Sequence, residues 1–182
     1  LARMDQKQWA RAASASGRIA ELPCCLIDDT NVSALDVQRI AQKAKAKLGG
    51  LDAIYIDHLG LMKMPARKDD NRNLQDGDCS RALKAYAMAE GIPVIALSQL
   101  NRAVDVRQDK RPMLSDLRDS GSLEQDADIV LFVYRDDYYN RNSSKKGETE
   151  LIVSKQRNGP LGTVQLIFHP SMSRFEEKKT YN

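Results

Sequence analysis

A chain of 182 residues with 42% hydrophobic and 29% charged residues has the composition of one folded domain with a sizeable core, which excludes intrinsic disorder. The net charge of +3 permits a nucleic-acid partner without requiring one, and the longest apolar run, Ile129 to Tyr134, is far too short to cross a bilayer, so no membrane is expected. Three cysteines (Cys24, Cys25 and Cys79) and two histidines give no zinc-ligand spacing. The odd count suits a reducing compartment, and the cysteines read as small buried hydrophobes.

In chain order, Asp5 with Gln8 forms a capping box for a first helix carrying Trp9, Ala12, Ala13 and Ala20 on one face. Leu26-Ile27 reads as a short strand ending at Asp28-Asp29. Ser33 with Asp36 is a second capping box, followed by Val37, Ile40, Ala41, Ala44 and Leu48 at helical spacing and a stop at Gly49-Gly50. Leu51–Asp57 is apolar nearly throughout, as buried parallel strands are. A polar loop is expected over 63–78, then a helix marked by Leu83, Tyr86 and Ala87 that closes near Gly91, then a strand over Pro93–Ser98. Residues 101–121 are charged and aperiodic, Asp128–Tyr134 is a strand, and 136–147 is a polar loop. Thr149–Ser154 and Thr163–Phe168 form a hairpin around Asn158-Gly159-Pro160. Strands alternating with helices predict an α/β fold, a mostly parallel sheet flanked by helices, with an antiparallel hairpin at its C-terminal end.

In such sheets working groups gather at the carboxyl ends of strands. That rule selects Asp57, an acid of the kind that holds Mg²⁺ in nucleotide hydrolases, and Ser98-Gln99, where a neutral amide can sense a γ-phosphate. Taken alone, each residue fits a cap or the start of a loop better than a catalytic role. Two loops after adjacent strands each carry two positive charges in excess. One holds Lys63, Arg67, Lys68 and Arg72; the other runs from Arg102 through Arg107 and Arg118. They suit a phosphate backbone, although most charge runs are solvated surface. Lys155 and Arg157 occupy alternate positions at the hairpin tip and share a face, as a pair aimed at an anion would. A charged, soluble tip is the bland alternative. None of the ten glycines is followed by lysine, so the chain holds no phosphate-binding loop.

Five stretches in order resemble one family: Ile27–Thr30 (IDDT), Ile56–Met62 (IDHLGLM), Pro93–Arg102 (PVIALSQLNR), Lys110–Asp128 (KRPMLSDLRDSGSLEQDAD) and Lys155–Pro160 (KQRNGP). The chain is similar, from about Leu22 to Phe168, to the DnaB family of ring helicases. The resemblance implies a RecA-like fold, with residues 1–182 as one partial helicase C-terminal domain whose N-terminal part lies ahead of Leu1. It implies an ATP-dependent replicative DNA helicase that uses ATP and Mg²⁺, with the fragment alone inactive. Asp57 would be the magnesium-associated acid and Gln99 the γ-phosphate sensor. Lys155, Gln156 and Arg157 would reach a neighbour's nucleotide. Arg118, Asp119 and Gly121 would contact DNA, beside Arg67, Lys68, Arg72 and Arg107. The implied partners are single-stranded DNA, further copies of the chain in a hexameric ring, a primase and a helicase loader, in the cytoplasm. His58 and Gly60 depart from the family's usual aromatic residue and glutamine, and Asp119 stands where glutamate is common. Other RecA-like ring ATPases share Asp57 and Gln99 but do not predict KQRNGP or EQDAD. A non-catalytic DNA-binding or assembly module is the alternative of a different class.

Overall fold

The structure is a computed structural model that describes residues 4–63 and 72–178; of the side chains, those of 72–76 and 118–121 fall outside the described set. Both capping boxes form. Asp5 accepts from the Gln8 amide at 2.7 Å and starts α1 (Gln6–Ala20), while Ser33 and Asp36 exchange bonds and start α2 (Ala34–Leu48). Each box satisfies two amide donors that the first helical turn leaves without partners. Gly49 ends α2 at φ +77°, a left-handed conformation that costs a side-chain-bearing residue more. Ser33 and the Arg39 guanidinium hold the Asp36 carboxyl down to about 2.

The next two strands are β1 (Ile54–Ile56) and β2 (Val94–Ala96), paired in parallel with Ile54 opposite Val94. Helix α3 (Arg72–Glu90) links them. It begins inside the stretch expected to be loop and ends as expected before Gly91, whose φ is +67°. Leu59 and Met62, just past β1, pack with Cys79 and Leu83 of α3, closed by Val37, Ile56 and Val94. Burying a leucine such as Leu83 contributes about 2 kcal/mol.

After β2 come the short helix α4 (Ala103–Val106), a 3₁₀ segment (Leu114–Ser120) and the six-residue helix α5 (Gly121–Asp126). Then β3 (Ile129–Tyr134) and the short helix α6 (Asp136–Tyr139) lead into β4 (Glu148–Gln156), β5 (Gly162–His169) and β6 (Arg174–Glu177). These four strands make one antiparallel sheet in sequence order. Val130 and Phe132 bury one face of it against Leu117, Leu114 and Leu100.

The α/β class holds, and the antiparallel portion is larger than a hairpin. β3 pairs with β4 and not with β2, because residues 135–147 return the chain directly alongside it. β6 is not legible in the sequence; its Phe175 ring packs at a tilt of 37° against Phe168 of β5, centroids 4.8 Å apart. Leu26-Ile27 is extended but is not a strand, since nothing among the described residues hydrogen-bonds to it as one. Leu26 is 90% exposed, and a groove of about 810 Å³ separates its segment from β1 and α2. Of the cysteines only Cys79 is buried; Cys24 and Cys25 sit exposed on that extended segment.

Candidate functional site

The carboxyl ends of β1 and β2 form one edge. The ladder continues past the strands, with the Leu97 amide donating to the Ile56 carbonyl at 2.9 Å and the Leu59 amide to the Leu97 carbonyl at 3.0 Å. Asp57 and Gln99 therefore leave neighbouring strands at the same edge, both exposed. The peptide between Asp57 and His58 is cis. Among the described residues no cluster of three His, Cys, Asp or Glu side chains exists. A single exposed carboxylate at such an edge fits Mg²⁺, a hard cation that keeps most of its waters and binds through one or two carboxylates plus phosphate.

The second set lies at the end of the antiparallel sheet. Lys155 donates to the Glu124 carbonyl at 2.5 Å and to the Gln125 carbonyl at 3.2 Å, and Arg157 donates to the Gln125 carbonyl at 2.8 Å. The expected pair thus does converge, upon the C-terminal carbonyls of α5, where the helix dipole favours cations. The register of β3 and β4 shifts between Val130 and Leu131, and a bulge of this kind re-aims the side chains that follow it. Arg157 is bonded yet open, with its side chain 52% exposed. Gln156, at the last position of β4, pairs with Ile129.

The basic loops divide. Arg67 and Lys68 lie outside the described residues. Arg72 opens α3, Arg118 and Asp119 lie in the 3₁₀ segment, and Gly121 opens α5, but their side chains are likewise outside the described set. Arg107 is placed elsewhere than on an open surface. Its guanidinium grips the Asp116 carboxylate at 2.9 and 2.7 Å and the Arg111 carbonyl at 2.9 Å, and the Asp116 side chain is only 5% exposed. Asp116 also accepts from the Met113 amide at 2.8 Å. A charge pair with these bonds staples residues 107–116 into a fixed shape, within the stretch that reads as charged and aperiodic in the sequence.

Two arrangements were missed. Arg111 forks onto Glu150 of β4 at 2.7 and 2.8 Å and lies over the Tyr134 ring, tying the loop to the sheet. The side-chain bonds from Arg111 hold the Glu150 carboxyl below its ordinary range. Asp128, one residue before β3, meets Lys84 of α3 and Arg157. Lys84 first, then Arg157 and Lys155, hold its carboxyl below the usual range. The only signal for it was its place in the EQDAD run.

A parallel pair with an acid and an amide at its carboxyl edge, helices around it and a separate antiparallel sheet define the class: a RecA-like α/β domain. The comparisons agree. The DnaB-like helicase C terminal domain family matches residues 1–177. The replicative DNA helicase DnaB of Pasteurella multocida (strain Pm70) is 47% identical over 174 residues, which is 95% of this chain and 37% of the relative. That of Geobacillus stearothermophilus is 44% identical over 173 residues, 95% of this chain and 38% of the relative. Among solved structures, an ATPase domain superposes with a TM-score of 0.90 at 41% identity, covering 97% of this chain and 62% of its own. A DnaB-like replicative helicase, solved in a study of its interactions with primase, gives 0.90 and 41%, covering 97% and 43%. The chain belongs to the DnaB-like helicase C-terminal domain family, and it spans 37–38% of the length of these curated relatives.

Proposed function

We propose that the chain is part of the motor of a replicative DNA helicase that hydrolyses ATP and moves on single-stranded DNA. The observation that carries this reading is the pairing of two separate sets within one chain. Asp57 and Gln99 share the carboxyl edge of a parallel pair, and Lys155 and Arg157 converge at the far end of the antiparallel sheet. The first set suits a nucleotide bound by its own subunit. The second, half-exposed, suits one bound by a neighbour, which requires a ring; by family likeness the ring is a hexamer.

Asp57 would hold Mg²⁺, through water or directly, with Gln99 beside the terminal phosphate. When bound, the ion neutralises charge on the phosphate oxygens. Lys155, Gln156 and Arg157 lie at the subunit boundary, and Arg157 carries the stronger claim because a guanidinium stays ionised and forks onto phosphate. Arg118, Asp119 and Gly121, with Arg67, Lys68 and Arg72, would form the DNA-contacting set, its cations serving the phosphates, whereas Arg107 shapes the loop through Asp116. Primase and a helicase loader are the expected partners, in the cytoplasm; among the described residues no helix is long and apolar enough to cross a membrane.

The test compares the full-length protein with the 182-residue chain. Full-length protein should hydrolyse ATP faster with single-stranded DNA, and Asp57→Asn should abolish this. The chain alone, without a Gly-Lys phosphate loop, should show no turnover. DNA affinity should fall steeply with salt and depend little on sequence, and Arg118→Ala should weaken all single strands about equally. Salt-insensitive binding to one preferred sequence, or turnover that survives Asp57→Asn, contradicts the reading.

A further inference from the structure

We propose that Asp128 is a positioning residue for Arg157, setting the guanidinium in the pose from which it reaches a neighbouring subunit's phosphate. The proposal rests on the reading of Arg157 as a residue acting across subunits. Three contacts argue for it. The Arg157 amide donates to the Asp128 carbonyl at 3.0 Å, which pins the end of β4 beside the start of β3. The Asp128 carboxylate faces the Arg157 Nε at 3.5 Å. Its other oxygen meets the Lys84 ammonium of α3, so the carboxylate is tethered from behind and cannot swing freely with the arginine.

The geometry of the guanidinium explains what this tether does. Arginine has five N–H donors in a rigid plane. One donates to the Gln125 carbonyl at 2.8 Å, while the Nε end forms an ion pair with Asp128 at 3.5 Å. No other hydrogen bond from the guanidinium to a described residue is made, and the side chain is 52% exposed. Asp128 therefore fixes the inner edge of the plane and leaves the outer edge presented. Lys155, held on the carbonyls of Glu124 and Gln125, forms neither an ion pair nor a hydrogen bond with Asp128, whereas Arg157 has an ion pair and a backbone hydrogen bond to it. Glu124 and Gln125 close the C-terminal end of α5, whose first residue is Gly121. The seat of Arg157 is thereby built on the helix that follows the proposed DNA-contacting segment.

A misplaced group in such a site costs up to about 10²-fold in rate even when the chemistry is intact. In the full-length protein, Asp128→Asn should lower kcat for ATP by about tenfold or more while KM changes by less than about twofold. Asp128→Glu, which keeps the charge, should restore most of the loss. Arg157→Lys removes the plane that Asp128 orients, so adding Asp128→Asn to it should cost less than about a further twofold. Chromatography shows whether each variant still assembles. An Asp128→Asn protein with wild-type kcat, while Arg157→Ala is inactive, overturns this proposal alone. So does an equal fold-loss from Asp128→Asn in both backgrounds, because Asp128 would then serve only its pair with Lys84. Wild-type turnover in Arg157→Ala overturns the cross-subunit reading and this inference with it.

Discussion

The two sheets of this domain carry the two halves of its proposed chemistry on unequal supports. β1 and β2 are three residues each, joined through a long crossover, and they bear Asp57 and Gln99 on an exposed edge. β3 to β6 run consecutively with longer ladders and bear Lys155 and Arg157. A parallel pair needs cover on both faces, whereas an antiparallel meander can leave one face open. Tyr55 in β1 is 77% exposed, and on β3 Ile129, Leu131 and Val133 are exposed while Val130, Phe132 and Tyr134 are buried. The lesson is one of rigidity. The cations destined for a neighbour sit on the part of the chain that is locally complete, while the acid and amide sit where the support is thinner.

Three substitutions sharpen that contrast. The largest effect is expected from Phe132→Ala, which removes a buried ring from beneath β3 and should cost about 3–5 kcal/mol in urea unfolding of the full-length protein. Tyr55→Ala, on the open face of β1, should stay within about 0.5 kcal/mol. A Tyr55→Ala loss as large as that of Phe132→Ala would erase the difference between the sheets. An intermediate effect is expected from Glu150→Gln, which should cost about 1–2 kcal/mol at neutral pH, discounted because Arg111 is partly exposed. Its pH dependence has a definite sign. The Glu150 pKa is lower in the folded chain than its ordinary 4.5. Its contribution is therefore complete above about that value and is lost as pH falls through the depressed folded value. The gap between wild type and Glu150→Gln should close over the same acid range, and a gap that persists there would remove Glu150 from the account.

Much of this was legible because the information is local. Capping boxes need four residues, and both were in the sequence; an apolar run ending in Asp57 or Gln99 marks a strand end wherever the strand goes. What escaped depends on partners. Leu26-Ile27 has the residues of a strand, but a strand exists only through its neighbour. The short elements α5 and β6 have six and four residues, too few for a period to show. Arg107 looked like a free cation because Asp116 is brought to it by a fold-back of the chain. Asp128 reads as the first residue of a strand, and nothing local shows that Lys84 and Arg157 meet on it. The seat of Lys155 and Arg157 was hidden for a further reason: it consists of backbone carbonyls, which every sequence has.

The central claim is that Arg157 serves a neighbour's nucleotide and Asp57 its own. Mixing tests it directly. Full-length Arg157→Ala and full-length Asp57→Asn should each be nearly inactive, since removing a finger of this type costs on the order of 10³ to 10⁵ in rate. Mixed rings contain interfaces that join an intact Asp57 from one variant to an intact Arg157 from the other. ATPase activity should reappear on mixing and rise with the fraction of such interfaces. Mixed rings that assemble, yet stay as inactive as either variant while wild-type rings handled in parallel keep their activity, would contradict it.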